Sequence, residues 1–127
     1  MSDLNFLIVD DDSITTHLLE KIISCKYKTT NIDIFKNPEN ALLNLERRKY
    51  DLIISDICME PIDGFEFYKK AKKIDDNNKI VLMSSSVDNP EFKHIARELG
   101  TEIIPKPLDC MIVLKYLRKY VPLPESS

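Results

Sequence analysis

Five strands alternating with five helices, packed as a parallel sheet covered on both faces, is the α/β architecture this sequence predicts. Three observations carry that reading. Five short apolar runs recur along the 127 residues. Segments with apolar residues at helical spacing separate them. Three of the runs are almost unbroken, as strands buried on both faces require. Strict alternation of the two element types favours a parallel sheet, and right-handed crossovers then limit its topology.

The first run is Phe6, Leu7, Ile8 and Val9. Ile14, Leu18, Ile22 and Cys25 follow as a stripe that predicts a first helix buried along that face. The second run, Ile32 to Phe35, is interrupted by Asp33, which suits an edge strand. Ala41, Leu42 and Leu45 mark the second helix, and Leu52, Ile53 and Ile54 the third strand. Phe67, Ala71 and Ile74 mark the third helix. Ile80, Val81, Leu82 and Met83 form the fourth run. Phe92, Ile95, Ala96 and Leu99 then repeat at i, i+3, i+4 and i+7. Ile103 and Ile104 are the last run, and Val113, Leu114, Leu117 and Tyr120 the last helix. Asn37-Pro38 and Asn89-Pro90 are start signals: Asn caps free N–H groups, and Pro at the first helical position has no N–H to leave unpaired. Gly100 is the expected stop of the fourth helix.

Composition excludes several functions. With 18 Lys+Arg against 21 Asp+Glu, the net charge of -3 argues against a general electrostatic grip on nucleic acid. No apolar stretch approaches the roughly 20 residues that span a bilayer. The N-terminal MSDLNF is no signal segment, so a cytoplasmic location is expected, with no membrane partner. Cys25, Cys58 and Cys110 have neither zinc nor disulfide spacing and are expected to be reduced and mostly buried. Only two glycines, Gly64 and Gly100, are present, too few for a Walker A loop or a G-x-G-x-x-G fingerprint. Residues 1–121 are expected to form one domain, and 122–127, within VPLPESS, a flexible tail or linker start.

Sites in open parallel sheets form beyond the carboxyl ends of the strands. Asp10, Asp11 and Asp12 follow the first strand. Ser55 and Asp56 follow the third, Ser84, Ser85 and Ser86 the fourth, and Pro105, Lys106 and Pro107 the fifth. Carboxylates converging in one crevice need a cation, and an all-oxygen set suits Mg²⁺. Aspartate can act as a nucleophile toward phosphorus, and a lysine and a hydroxyl can neutralise the transferred group. A serine triad needs a placed histidine, whereas His17 and His94 fall inside helices and read as surface or partly packed residues.

Taken together, FLIVDD, LIISDICMEPIDGFEF, VLMSSS and IIPKP resemble, in this order, the strand ends of a response-regulator receiver domain of two-component signalling, chemotaxis-regulator-like. The resemblance covers the chain to about Tyr120. It implies a (βα)5 doubly wound, flavodoxin-like sheet with strand order 2-1-3-4-5. It implies Asp56 as phospho-acceptor, Asp11 as a direct Mg²⁺ ligand, Asp10 positioning the metal through water, and the backbone carbonyl of Cys58 facing it. Ser85 becomes the switch hydroxyl, Lys106 the phosphoryl partner, and Lys106-Pro107 a cis peptide. The implied donor is a sensor histidine kinase or a phosphotransfer protein. The implied target is a downstream protein that binds the helix 4, strand 5 and helix 5 face. The chain departs from the pattern where Pro61 lies one place late, where Ile103 replaces an aromatic, and where Cys58 stands beside the metal. Cys58 reads there as a passive small side chain. A stand-alone receiver, a relay, a phosphate sink and a receiver cut from a longer regulator all fit.

Two rival readings use the same residues. Asp10-x-Asp12 resembles the nucleophile motif of haloacid-dehalogenase-type phosphatases, but that reading leaves Asp56 without a role. A pseudo-receiver that only binds partners would not need the full set of acids, hydroxyl and lysine.

Overall fold

Side chains alternate across each strand, and here both faces of every central strand are apolar. The computed structural model describes residues 3–28, 30–86 and 88–123. Among them lie β1 (Leu4–Val9), α1 (Ser13–Lys26), β2 (Thr30–Phe35), α2 (Pro38–Leu45), β3 (Leu52–Asp56), α3 (Gly64–Ile74), β4 (Ile80–Ser84), α4 (Pro90–Leu99), β5 (Ile103–Pro105) and α5 (Cys110–Tyr120). All strand pairs are parallel, in the order β2-β1-β3-β4-β5. This is the predicted doubly wound sheet, and β2 lies at its edge as Asp33 suggested.

The alternation sorts the core into two layers. Leu7, Val9, Ile53 and Leu82 meet Ala41, Leu45, Phe67, Ala71 and Ala96 from α2, α3 and α4. Phe6, Ile8, Ile54, Val81, Met83 and Ile104 meet Leu19, Ile22, Ile23, Val113, Leu114 and Leu117 from α1 and α5. The helix starts follow their caps. Asn37 Oδ1 accepts from the N–H groups of Glu39 (2.8 Å) and Asn40 (3.2 Å). Asn89 Oδ1 accepts from Glu91 (2.9 Å) and Phe92 (3.2 Å). Gly100 ends α4 with φ 80°, a left-handed conformation that a Cβ disfavours. At the β2 edge, Tyr50 donates to Asp33 and accepts from Asn44, and Arg48 pairs with Asp33 at 3.3 Å. Burial and the Asp33 bond push the Tyr50 hydroxyl up to about 12.

Two expectations need correction. The α1 stripe is wrong in phase: Ile14 is 79% exposed and Leu18 40%, and Cys25 is exposed. The helix instead buries Thr15, Thr16, Leu19, Ile22 and Ile23. The cysteines are not buried either, for Cys25, Cys58 and Cys110 are all exposed. Each lies at a helix end or in a loop, where no second layer covers it. Leu123, within the segment 122–127, packs against the α1/α5 core layer. Residues 124–127 of the expected tail lie outside the described residues. His17 and His94 are both exposed on their helices, as expected, and His94 Nε2 lies 3.3 Å from Glu98.

Candidate functional site

The carboxyl ends of β1, β3, β4 and β5 form the crevice. Parallel register sets Val9 beside Ser55, Asp56 beside Met83, and Ser84 beside Pro105. Asp10, just past β1, and Asp56, the last residue of β3, therefore stand side by side at one level. Both are buried, at 0% and 6% exposure, while Asp11 is exposed. One carboxylate oxygen from each of Asp10, Asp11 and Asp56 lies within 4.8 Å of the others.

Lys106 answers part of that charge. Its Nζ donates to Asp10 Oδ2 at 2.9 Å and lies 3.1 Å from Asp56 Oδ1. Burial depresses the ammonium, but Asp10 and Asp56 outweigh it and hold Lys106 above the usual lysine value. Asp56 behaves in the opposite sense. Burial, reinforced by the Asp10 charge and only partly offset by Lys106, raises its carboxyl above the usual carboxylate value. One ammonium shared among three carboxylates leaves the crevice negative. A hard divalent cation with oxygen ligands fits this donor set.

Asp12, the third acid of the run, has a separate task. Its Oδ1 accepts from the Ile14 N–H at 3.1 Å and its Oδ2 from the Thr15 hydroxyl at 2.7 Å. It is the N-cap of α1, and those bonds hold its carboxyl below the ordinary value. Asp10 Oδ1 is itself occupied by the Asp12 N–H at 3.0 Å. The triplet divides into a site pair and a cap.

The loop from Ile57 to Asp63 returns to the strand end through Gly64. Its N–H donates to the Ile57 carbonyl at 2.8 Å. A Cβ on Gly64 would sit 2.4 Å from the Asp56 carbonyl oxygen. Only glycine permits this approach, so Gly64 fixes the backbone that carries Asp56. Within the loop, Cys58 is exposed, two residues past Asp56, and Glu60–Pro61 is cis. The expected cis Lys106–Pro107 bond is present too.

The hydroxyls at β4 divide unevenly. Ser85 lies just past the strand and is exposed. Ser84 ends the strand at 1% exposure, its carbonyl accepts from the Lys106 N–H at 2.9 Å, and its Oγ accepts from the Ser86 N–H at 2.9 Å. Sequence order alone does not rank the two; burial distinguishes Ser84.

The description "response regulator receiver domain" belongs to the family model that matches residues 6–118. The transcription factor SKN7 of Saccharomyces cerevisiae is 27% identical over 125 residues, which is 95% of this chain and 20% of that protein. The putative two-component response regulator ARR21 of Arabidopsis thaliana is 29% identical over 108 residues, 83% of this chain and 17% of that one. This chain thus spans about a fifth of the length of these curated relatives. Among solved structures, the Vibrio cholerae chemotaxis protein CheY4 superposes with a TM-score of 0.82 at 23% identity, over 94% of this chain and 100% of that one. A chain of the CheX–CheY–BeF3–Mg²⁺ complex of Borrelia burgdorferi gives a TM-score of 0.82 at 26% identity, over 91% and 87% of the two chains. With the predicted strand order, the acids at the ends of β1 and β3 and the lysine after β5 all in place, this chain belongs to the receiver-domain family of two-component response regulators.

Proposed function

We propose that Asp56 accepts a phosphoryl group from a sensor histidine kinase or a phosphotransfer protein in a Mg²⁺-dependent reaction. The observation that carries this reading is the buried Asp56 carboxylate, 3.1 Å from Lys106 Nζ and clustered with Asp10 and Asp11. An Asp56 oxygen attacks phosphorus, the P–N bond of the donor phosphohistidine breaks, and the imidazole leaves with the bond's electrons. Asp10, Asp11, Asp56 and the Cys58 carbonyl would hold Mg²⁺, which neutralises phosphoryl oxygens and fixes their geometry when bound. Lys106 takes up the remaining charge. Ser85 is the hydroxyl that the family register suggests, and Ser84 is its buried rival. The altered face of α4, β5 and α5 then binds a downstream protein. The chain is a switch that catalyses only its own phosphorylation and dephosphorylation.

The phosphatase alternative loses support from the same geometry. Both carboxylate oxygens of Asp12 are engaged in capping α1, away from the Asp10, Asp11 and Asp56 cluster. The test is direct. The protein is incubated with Mg²⁺ and acetyl phosphate, and the modified residue is located by mass spectrometry. Modification of Asp56, lost in Asp56→Ala, is expected; modification of Asp10 would overturn the reading in favour of the phosphatase. Lys106→Ala is expected to fold and bind Mg²⁺ while responding poorly to phosphorylation. Comparing phosphoryl lifetimes in Ser84→Ala and Ser85→Ala identifies the hydroxyl that touches the group.

A further inference from the structure

The strand that leads into Lys106 begins beside a second polar junction. Glu102 immediately precedes β5, which is three residues long and, among the described residues, pairs only with β4. Its carboxylate takes two partners from the last turn of α5. Lys119 Nζ donates to Oε2 at 2.7 Å, and the Tyr120 hydroxyl donates to Oε1 at 3.2 Å. At its other end, β5 runs into Lys106, and only Pro107 and Leu108 separate that residue from Asp109, the N-cap of α5. Residues 102–120 therefore close on themselves, with Lys106 at one end of the loop and the Glu102 junction at the other.

The junction lies at the chain's exit. Lys79 Nζ donates to the Tyr120 carbonyl at 3.1 Å, and the Tyr27 hydroxyl donates to the Val121 carbonyl at 2.7 Å. Val121 is 6% exposed, and Leu123 packs on the same core layer. The last turn of α5 and residues 121–123 are thus tied to the same core layer.

We propose that residues 102–120 shift as one clasped unit when Lys106 changes partners, and that Glu102 is the positioning residue that couples this shift to the exit at 121–123. The proposal rests on Asp56 being the phosphoryl acceptor. A phosphoryl group on Asp56 puts more negative charge in front of Lys106 than one carboxylate does, so the ammonium re-pairs. An edge strand of three residues held from one side resists displacement weakly. The Glu102 carboxylate then transmits the displacement because it is bonded to two consecutive residues of α5.

The Glu102–Lys119 pair is well exposed, with side-chain exposures of 39% and 48%, and such pairs add little to stability. Glu102→Ala is therefore expected to fold, and the informative readout is conformational. Amide exchange over residues 119–123 is followed by mass spectrometry, without and with Mg²⁺ plus beryllium fluoride as a phosphoryl mimic. Exchange there is expected to change by about threefold in the parent protein, since local opening reports the strength of such tethers. In Glu102→Ala the change is expected to vanish while the mimic still raises the Tm. Lys119→Met combined with Tyr120→Phe removes the same contacts from the helix side and is expected to behave alike. An exchange response in both variants equal to that of the parent would overturn the clasp. Loss of both the Tm rise and the exchange response in the parent would overturn the Asp56 reading and the clasp with it.

Discussion

At the scale of single residues, Asp56 and Lys106 record the same contact with opposite consequences. Lys106 gains two carboxylates, Asp10 at 2.9 Å and Asp56 at 3.1 Å, which outweigh its burial. Asp56 gains a share of one ammonium and suffers burial plus the Asp10 charge, so its ionised form is disfavoured. Removing its charge leaves the Asp10–Lys106 pair intact. Asp56→Asn is thus expected to stabilise the metal-free protein at pH 7. Urea denaturation in a chelator checks this, and a variant less stable than its parent would show that the Lys106 contact outweighs the strain. These charges were legible in the sequence because acids and lysine at three strand ends have few other reasons to converge. Gly64 was not legible as a site residue, since its role is a missing Cβ beside the Asp56 carbonyl. The burial of Ser84 also escaped sequence order, because it depends on where β4 ends.

Among the elements, α1 shows how a helix can be predicted correctly and set in the wrong phase. Ile14, Leu18 and Ile22 fit the helical template, yet so do Thr15, Leu19, Ile22 and Ile23. The deciding factor is Asp12. By capping α1 just after the site acids, it fixes the rotation of the first turn. The threonines then face inward at low cost, because their hydroxyls are satisfied locally: Thr15 on Asp12 Oδ2 at 2.7 Å, and Thr16 on the Ser13 carbonyl at 3.1 Å. Their methyl groups are left to pack. A reading that scores threonine as polar misses this. Leu19→Ala is expected to cost about 2–5 kcal/mol, the range for truncating a fully buried leucine. Ile14→Ala is expected to change stability by less than about 0.5 kcal/mol. Urea midpoints of the two variants check the phase, and comparable losses would restore the original stripe. The strands caused no such ambiguity, because a central strand is apolar on both faces and has no phase to misjudge.

For the molecule as a whole, the two core layers hold an unbalanced acidic crevice at the edge of the sheet, and that imbalance makes stability depend on pH and metal together. The Asp56 carboxyl is raised in the folded state, so the folded protein binds more protons than the unfolded one across the window that starts near its ordinary value of 3.8 and extends upward. Stability therefore falls through this group as pH rises across that window. The Lys106 shift acts with the opposite profile. Its contribution is complete below the ordinary lysine value of 10.5 and is lost as pH climbs past it, so it is constant across the acidic window. A divalent cation held by the ionised Asp10, Asp11 and Asp56 cluster of the folded state would reverse the Asp56 trend. At a concentration 100 times its Kd it would add about 2.7 kcal/mol. The Tm increment from Mg²⁺ is accordingly expected to be small near pH 4 and to grow toward pH 7, while the metal-free Tm loses the Asp56 contribution over the same interval. Asp56→Asn should flatten both curves. Thermal melts across pH with Mg²⁺ or chelator measure the increment. An increment that stays constant from pH 4 to pH 7 would mean that the metal binds away from Asp56, because protonation of its raised carboxyl must compete with any cation it holds.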